Sequence, residues 1–167
     1  MTKIELALCD FEYFIERYFG YQLWKWQKRL ARDTQAAIES DLYFNHQFLG
    51  PADSGKSSRI VTPLILWLLA RDRNHRIILG GNKDDYIQQI SHAAMRRIML
   101  TKELQDDFGL RPAKPWSVEQ WSIERPDVLE RAPSVLAVGV GAEIQSQRAD
   151  FVLGDDLLTR RNSRTDS

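Results

Sequence analysis

The chain has 167 residues, 43% of them hydrophobic and 28% charged, and its 23 Lys and Arg are matched by 23 Asp and Glu. That length suits one globular domain whose core needs no disulfide staples, since a chain of about 150 residues hides roughly 70% of its unfolded surface. The balanced charge, with a pI near 6.8, excludes a whole-molecule electrostatic footprint for nucleic acid or an anionic membrane, so such a partner has to be met by a local patch.

Cys9 is the single cysteine, which excludes an intrachain disulfide and a thiolate metal cluster and reads as a small buried apolar residue. Glu5, Asp10 and Glu12 interrupt what would be the apolar core of an export signal. The longest apolar run, Ile60 to Ala70, contains Thr62 and Pro63 and falls short of the ~18–20 residues that span a bilayer. The expectation is a soluble protein of a reducing cytoplasm with no membrane partner.

From Ile4 to Ala37 apolar residues recur at three- and four-residue steps, broken at Gly20, and this spacing predicts two amphipathic helices. Leu42 to Leu49 is a short aromatic-rich run ending at Gly50 and predicts a strand meeting a turn. Lys56 to Ala70 predicts a helix. Arg76 to Leu79 before Gly80-Gly81 predicts a second strand, and Lys83 to Leu100 a helix with Ile87, Ile90, Ala94 and Ile98 on one face. Between Pro112 and Pro133 the alternation of Trp116, Val118, Trp121 and Ile123 predicts a short antiparallel excursion. Ser134 to Gly139 and Ala149 to Leu153 are near-continuous apolar runs, as expected of parallel strands buried on both faces. The predicted class is α/β with a mainly parallel sheet flanked by helices. No repeat or Gly/Ser-rich linker divides the chain, so residues 1–167 read as one domain, with a helical lead-in over 1–40 and a core over 41–167.

Gly50-Pro-Ala-Asp-Ser-Gly-Lys-Ser57 fits G-x-x-x-x-G-K-[ST] and sits between a predicted strand and a predicted helix, the context its chemistry needs. Glycines let successive backbone N–H groups turn inward around phosphate oxygens, helped by the positive end of the following helix. Gly50, Pro51, Ala52, Asp53, Ser54, Gly55, Lys56, Ser57 and Ser58 are thus the candidate nucleotide-contacting residues. Within that set Asp53 has to point away from phosphate, and Ser58, with Arg59 beyond it, equally suits an ordinary helix start. Lys56 would reach the β- and γ-phosphates of ATP, and the Ser57 hydroxyl would ligate Mg²⁺.

Such a loop needs a carboxylate at the carboxyl end of a neighbouring buried strand to complete the Mg²⁺ site. Phe151-Val-Leu-Gly154 leads into Asp155-Asp156 and supplies it. By position Asp155 is the Mg²⁺ partner and Asp156 the water-activating base. Adjacent strand residues point to opposite faces, so at most one lies on Mg²⁺ while the strand continues. An Asp-Asp pair also suits a solvated turn or a helix cap.

Trp26-Gln27, GPADSGKSS, RIILGGNKDDYIQQIS, Trp116 and PSVLAVGVGAEIQSQRADFVLGDDLL, in that order, make nearly the whole chain resemble the ATPase domain of the large terminase subunit, the DNA-packaging motor of tailed bacteriophages. The segment from Ser134 to Asp156, with its Gly139/Gly141 turn and Arg148-Ala-Asp150 lead into Asp155-Asp156, narrows the likeness beyond the phosphate loop. The resemblance implies a RecA-like P-loop ATPase that works as a homo-oligomeric ring with a portal protein and a small terminase subunit, in the cytoplasm of an infected bacterial host, and moves double-stranded DNA into a procapsid. It also implies that Gln27, beside Trp26, reads adenine, although Trp24, Trp26 and Gln27 equally suit the two sides of an amphipathic helix. It puts Arg148 near the γ-phosphate, a position that surface solvation explains nearly as well.

Two departures stand out. Pro51 to Ser54 lack the Arg or Lys that many terminases carry inside the loop, and only 11 residues follow Asp156, too few for a coupling strand or a nuclease domain. The expectation is therefore a fragment of a longer protein. DNA would be met through its phosphates, with local basic sets at Lys25, Lys28, Arg29 and Arg32 and at Arg160, Arg161 and Arg164, each of which also suits a solvated face. A small P-loop kinase acting on a metabolite, which needs a mobile Arg-rich lid, and a nucleotide-binding assembly module without turnover are the competing readings.

Overall fold

Local sequence sets the elements of the computed structural model, which describes residues 1–40, 54–82, 84–127, 129–139 and 148–155. Helix α1 (Lys3–Cys9) opens on a capping box, in which the Thr2 hydroxyl accepts the Glu5 N–H at 3.1 Å and the Glu5 carboxylate accepts the Thr2 N–H at 2.7 Å. Asp10 then caps α2 (Phe11–Phe19) by accepting the Tyr13 N–H at 2.9 Å, and Gly20, left-handed at φ +69°, ends it. The first of the two predicted helices is thus divided at Asp10, whose short carboxylate competes for backbone N–H groups. Cys9, at the end of α1, is exposed rather than buried. Helix α3 (Lys25–Glu39) completes the lead-in.

A π-helical turn (Ser57–Val61) precedes α4 (Thr62–Arg71). Pro63 accounts for the widened turn: it has no N–H to return to Arg59 and its ring crowds that carbonyl. Both the N–H and the hydroxyl of Thr62 reach the Ser57 carbonyl, the hydroxyl at 3.0 Å. Leu64 to Leu69 are all buried, so α4 is the central helix of the core. Trp67 stacks on Phe11 at 4.9 Å and donates its indole N–H to the Ala7 carbonyl at 2.9 Å, which draws α1 and α2 into the same apolar cluster as the sheet.

Strand β1 (Ile77–Gly81) is followed by α5 (Asp84–Leu100), which buries Ile87, Ile90, Ala94 and Ile98 as its periodicity predicts, and by α6 (Lys102–Phe108). Strands β2 (Pro112–Trp116) and β3 (Gln120–Ile123) form the predicted antiparallel excursion, and β4 (Val135–Gly139) and β5 (Phe151–Asp155) complete a five-stranded sheet in the order β2-β3-β4-β1-β5. β1 runs parallel to β4 and β5, whereas β2–β3 and β3–β4 are antiparallel. The sheet is therefore mixed, not mainly parallel. The three-residue turn between β2 and β3 can join only antiparallel strands, and the hairpin docks on the β4 edge. Pro112 and Pro115 are tolerated because β2 is an edge strand. β5 is also less enclosed than its apolar run predicts, with Val152 71% exposed. The predicted strand from Leu42 to Leu49 lies outside the described residues.

The registers Gly81↔Gly139 and Gly81↔Asp155 align the carboxyl ends of the three parallel strands. Ligands of open α/β sheets bind at such an edge, and the first turn of α5 sits directly on it. A Cβ at Gly81 would collide with the Ile87 side chain and lie 2.9 Å from the Asp155 carbonyl oxygen, and one at Gly139 would collide with the Asp84 carboxylate. The bare backbones of these two glycines permit the close approach of α5.

Candidate functional site

Gly55, Lys56 and Ser57 lead into the π-helical turn beside that edge. Gly55 is left-handed at φ +76°, a conformation costly for any residue with a Cβ, which supports the glycine required there by the motif. Its carbonyl accepts the Arg59 N–H at 2.9 Å, starting the helix. Lys56 is half-buried at the N-cap of the turn, just ahead of Ser57.

The Ser57 hydroxyl hydrogen-bonds Asp155 Oδ2, across 98 residues of sequence. The Tyr86 phenol joins them, 2.5 Å from Ser57 Oγ and donating to Asp155 Oδ2 at 3.1 Å. Asp155 is 7% exposed. A buried carboxyl group is costly unless its oxygens find partners, and the Ser57 and Tyr86 hydroxyls supply them.

That donor chemistry fits Mg²⁺. A hard cation takes oxygen ligands, keeps several waters, and is commonly held by one or two protein oxygens plus substrate phosphates. Among the described residues no group of three or more His, Cys, Asp or Glu forms an all-protein cage.

The segment ahead of α3 clasps the loop from the other side. Gln27 is fully buried; its Nε2 donates to the Ser54 carbonyl at 3.1 Å and its Oε1 accepts the Trp24 N–H at 3.0 Å. Its amide therefore ties the start of α3 to the segment at Ser54 that leads into Gly55. Trp26 is half-buried against the core, while Trp24 is 56% exposed. The Arg59 guanidinium lies 5.4 Å from the Tyr21 ring and 5.6 Å from the Trp24 ring and donates to the Gln22 carbonyl at 2.9 Å. Arg59 thus has a structural task in holding this segment to the loop helix. Ser58 is exposed, with its hydroxyl 3.4 Å from the Gly55 carbonyl.

The sheet does not bring Arg148 to this group. Arg148 precedes β5, whose first residue Phe151 pairs with Ile77 at the amino edge. At ~3.3 Å per residue, the strand alone separates Phe151 from Asp155 by about 13 Å. That amino edge holds an ion network instead: Arg76 Nη2 pairs with Asp150 Oδ1 at 2.8 Å and Nη1 with Glu130 at 3.4 Å. The basic set on α3 is largely spent in ion pairs, with Lys28 on Glu12 and Glu16 at 2.6 and 2.8 Å, Arg32 on Glu12 at 2.9 Å and Arg29 near Asp33 at 3.7 Å. Gly50, Pro51, Ala52, Asp53, Asp156 and the set Arg160, Arg161 and Arg164 lie outside the described residues.

Sequence reasoning missed Tyr86. The signal available was its place in the first turn of the helix that follows β1, the strand beside the one ending in Asp155. Among the described residues no helix is long and apolar enough to cross a membrane. A scan against protein-family models returns no match for the chain, and neither does a search of curated proteins.

Proposed function

We propose that the chain binds ATP at the carboxyl edge of its sheet and hydrolyses it. The observation that carries this reading is the direct contact of Ser57, closing the phosphate-loop string, with the buried Asp155. Ser57 and Asp155 would hold Mg²⁺, which when bound neutralises charge on the β- and γ-phosphates. Lys56 pairs with the same phosphates, and the backbone at Gly55 cradles them. Asp156 accepts the proton of the attacking water as its oxygen bonds to the γ-phosphorus and the bond to the β–γ bridging oxygen breaks, releasing ADP and phosphate.

The wider reading is a RecA-like terminase motor domain that uses this hydrolysis to move double-stranded DNA, in a ring with portal protein and small subunit. It is supported by the resemblance of the segment from Ser134 to Asp156. With Lys28, Arg29 and Arg32 of the α3 basic set paired to Glu12, Glu16 and Asp33, the reading assigns DNA phosphates to Arg160, Arg161 and Arg164. Phosphate release with and without duplex DNA tests it. DNA-stimulated release that Lys56→Ala abolishes supports the motor, phosphoryl transfer to a nucleoside or sugar identifies a kinase, and nucleotide binding without turnover identifies an assembly module.

A further inference from the structure

The triangle at the carboxyl edge contains one oxygen that neither the phosphate-loop string nor the acidic end of β5 accounts for. Tyr86 packs its ring against the core and projects its phenol onto Ser57 Oγ and Asp155 Oδ2 together. A phenol has one proton to donate and lone pairs to accept. Two protons serve the three contacts: with the phenol proton on Asp155, the Ser57 proton goes either to Asp155 or to the phenol oxygen, so Tyr86 bears on both ligand atoms in either arrangement. The close approach of α5 over Gly81 is what brings it there.

We propose that Tyr86 is a positioning residue for the divalent cation of the nucleotide complex, setting the orientation of the Ser57 hydroxyl and the Asp155 carboxylate. The inference rests on the ATP-site reading above. Partners of metal ligands orient those ligands, and losing one typically weakens metal binding by about 10- to 100-fold. The phenol acts through Ser57 and Asp155, so its loss changes cation affinity and leaves nucleotide binding without metal intact.

The test is a titration of the full chain with Mn²⁺ in the presence of ADP, with free Mn²⁺ read by electron paramagnetic resonance, alongside ADP binding in EDTA. Tyr86→Phe keeps the ring and removes only the hydroxyl; Tyr86→Leu removes both. Mn²⁺ affinity about 10- to 100-fold lower in Tyr86→Phe, with EDTA-state ADP binding within twofold of wild type, is the expected result. Unchanged Mn²⁺ affinity in Tyr86→Phe, a loss confined to Tyr86→Leu, or an equal loss of metal-free ADP binding overturns the positioning role and leaves the ATP-site reading standing. A wild-type chain that binds ADP neither with nor without Mn²⁺ overturns both.

Discussion

The side-chain amide of Gln27 donates to the Ser54 carbonyl at 3.1 Å while its own oxygen accepts the Trp24 N–H at 3.0 Å. One buried residue thus fixes the start of α3, the exposed Trp24 and the segment at Ser54 relative to one another. Gln27→Leu retains bulk but leaves both backbone groups without their partner, at a cost of about 1–3 kcal/mol. The expected outcome is a lower urea midpoint together with ATP and GTP affinities that fall by the same factor. A selective loss of ATP over GTP binding would instead assign Gln27 to reading adenine.

Gly81 and Gly139 occupy equivalent places at the ends of β1 and β4 but have unequal neighbours. At Gly81 a methyl group meets the fully buried Ile87 and the Asp155 backbone; at Gly139 it meets the carboxylate of Asp84, on an exposed residue that can swing away. Gly81→Ala is expected to destabilise by about 1–3 kcal/mol, as overpacked cores do, and to weaken cation binding by displacing Asp155. Gly139→Ala should be milder in both. Equal effects in thermal unfolding and Mn²⁺ titration would contradict the close-approach account of α5.

At the opposite edge of the sheet, Asp150 accepts from Arg76 through Nη2 at 2.8 Å, Nε at 3.1 Å and the backbone N–H at 2.8 Å. These bonds hold its carboxyl below the usual carboxylate range, with burial opposing them. A carboxyl lower in the folded chain than in the unfolded one adds stability above the unfolded value of about 3.9, and that stability is lost as pH falls through the folded value. Asp150→Asn should therefore be less stable at neutral pH and lose less on acidification below about pH 4. Urea midpoints across pH 2–7 check this, and an acid limb as steep as that of the wild type would refute it. Glu12 leaves some of the slope in place, because Lys28 and Arg32 outweigh the upward pull of its burial.

What could be read from the sequence was what local pattern determines. The Gly55-Lys56-Ser57 turn follows from a fixed string, Asp155 from an apolar run ending in a carboxylate, and the buried stripe of α5 from its period. Tyr86 was hidden because its partners are 29 and 69 residues away and meet it only once α5 lies over Gly81. For Gln27, helical spacing says that one side is buried, not which backbone group the buried amide will find. The break at Asp10 was missed for a smaller reason: a carboxylate in a helical run reads as a solvated face until its capping bond is seen. The mixed sheet follows from the docking of the β2–β3 hairpin on β4, a pairing between distant segments that no local period encodes.

The central claim, that Ser57 and Asp155 jointly hold the cation of a bound nucleotide, is tested most directly by ATP binding to the wild type, Ser57→Ala and Asp155→Asn, with Mg²⁺ and in EDTA. The account predicts that Mg²⁺ strengthens binding to the wild type, that both variants lose most of this gain, and that all three bind alike in EDTA. A wild type indifferent to Mg²⁺, or an Asp155→Asn chain that retains the full Mg²⁺ gain, would contradict it.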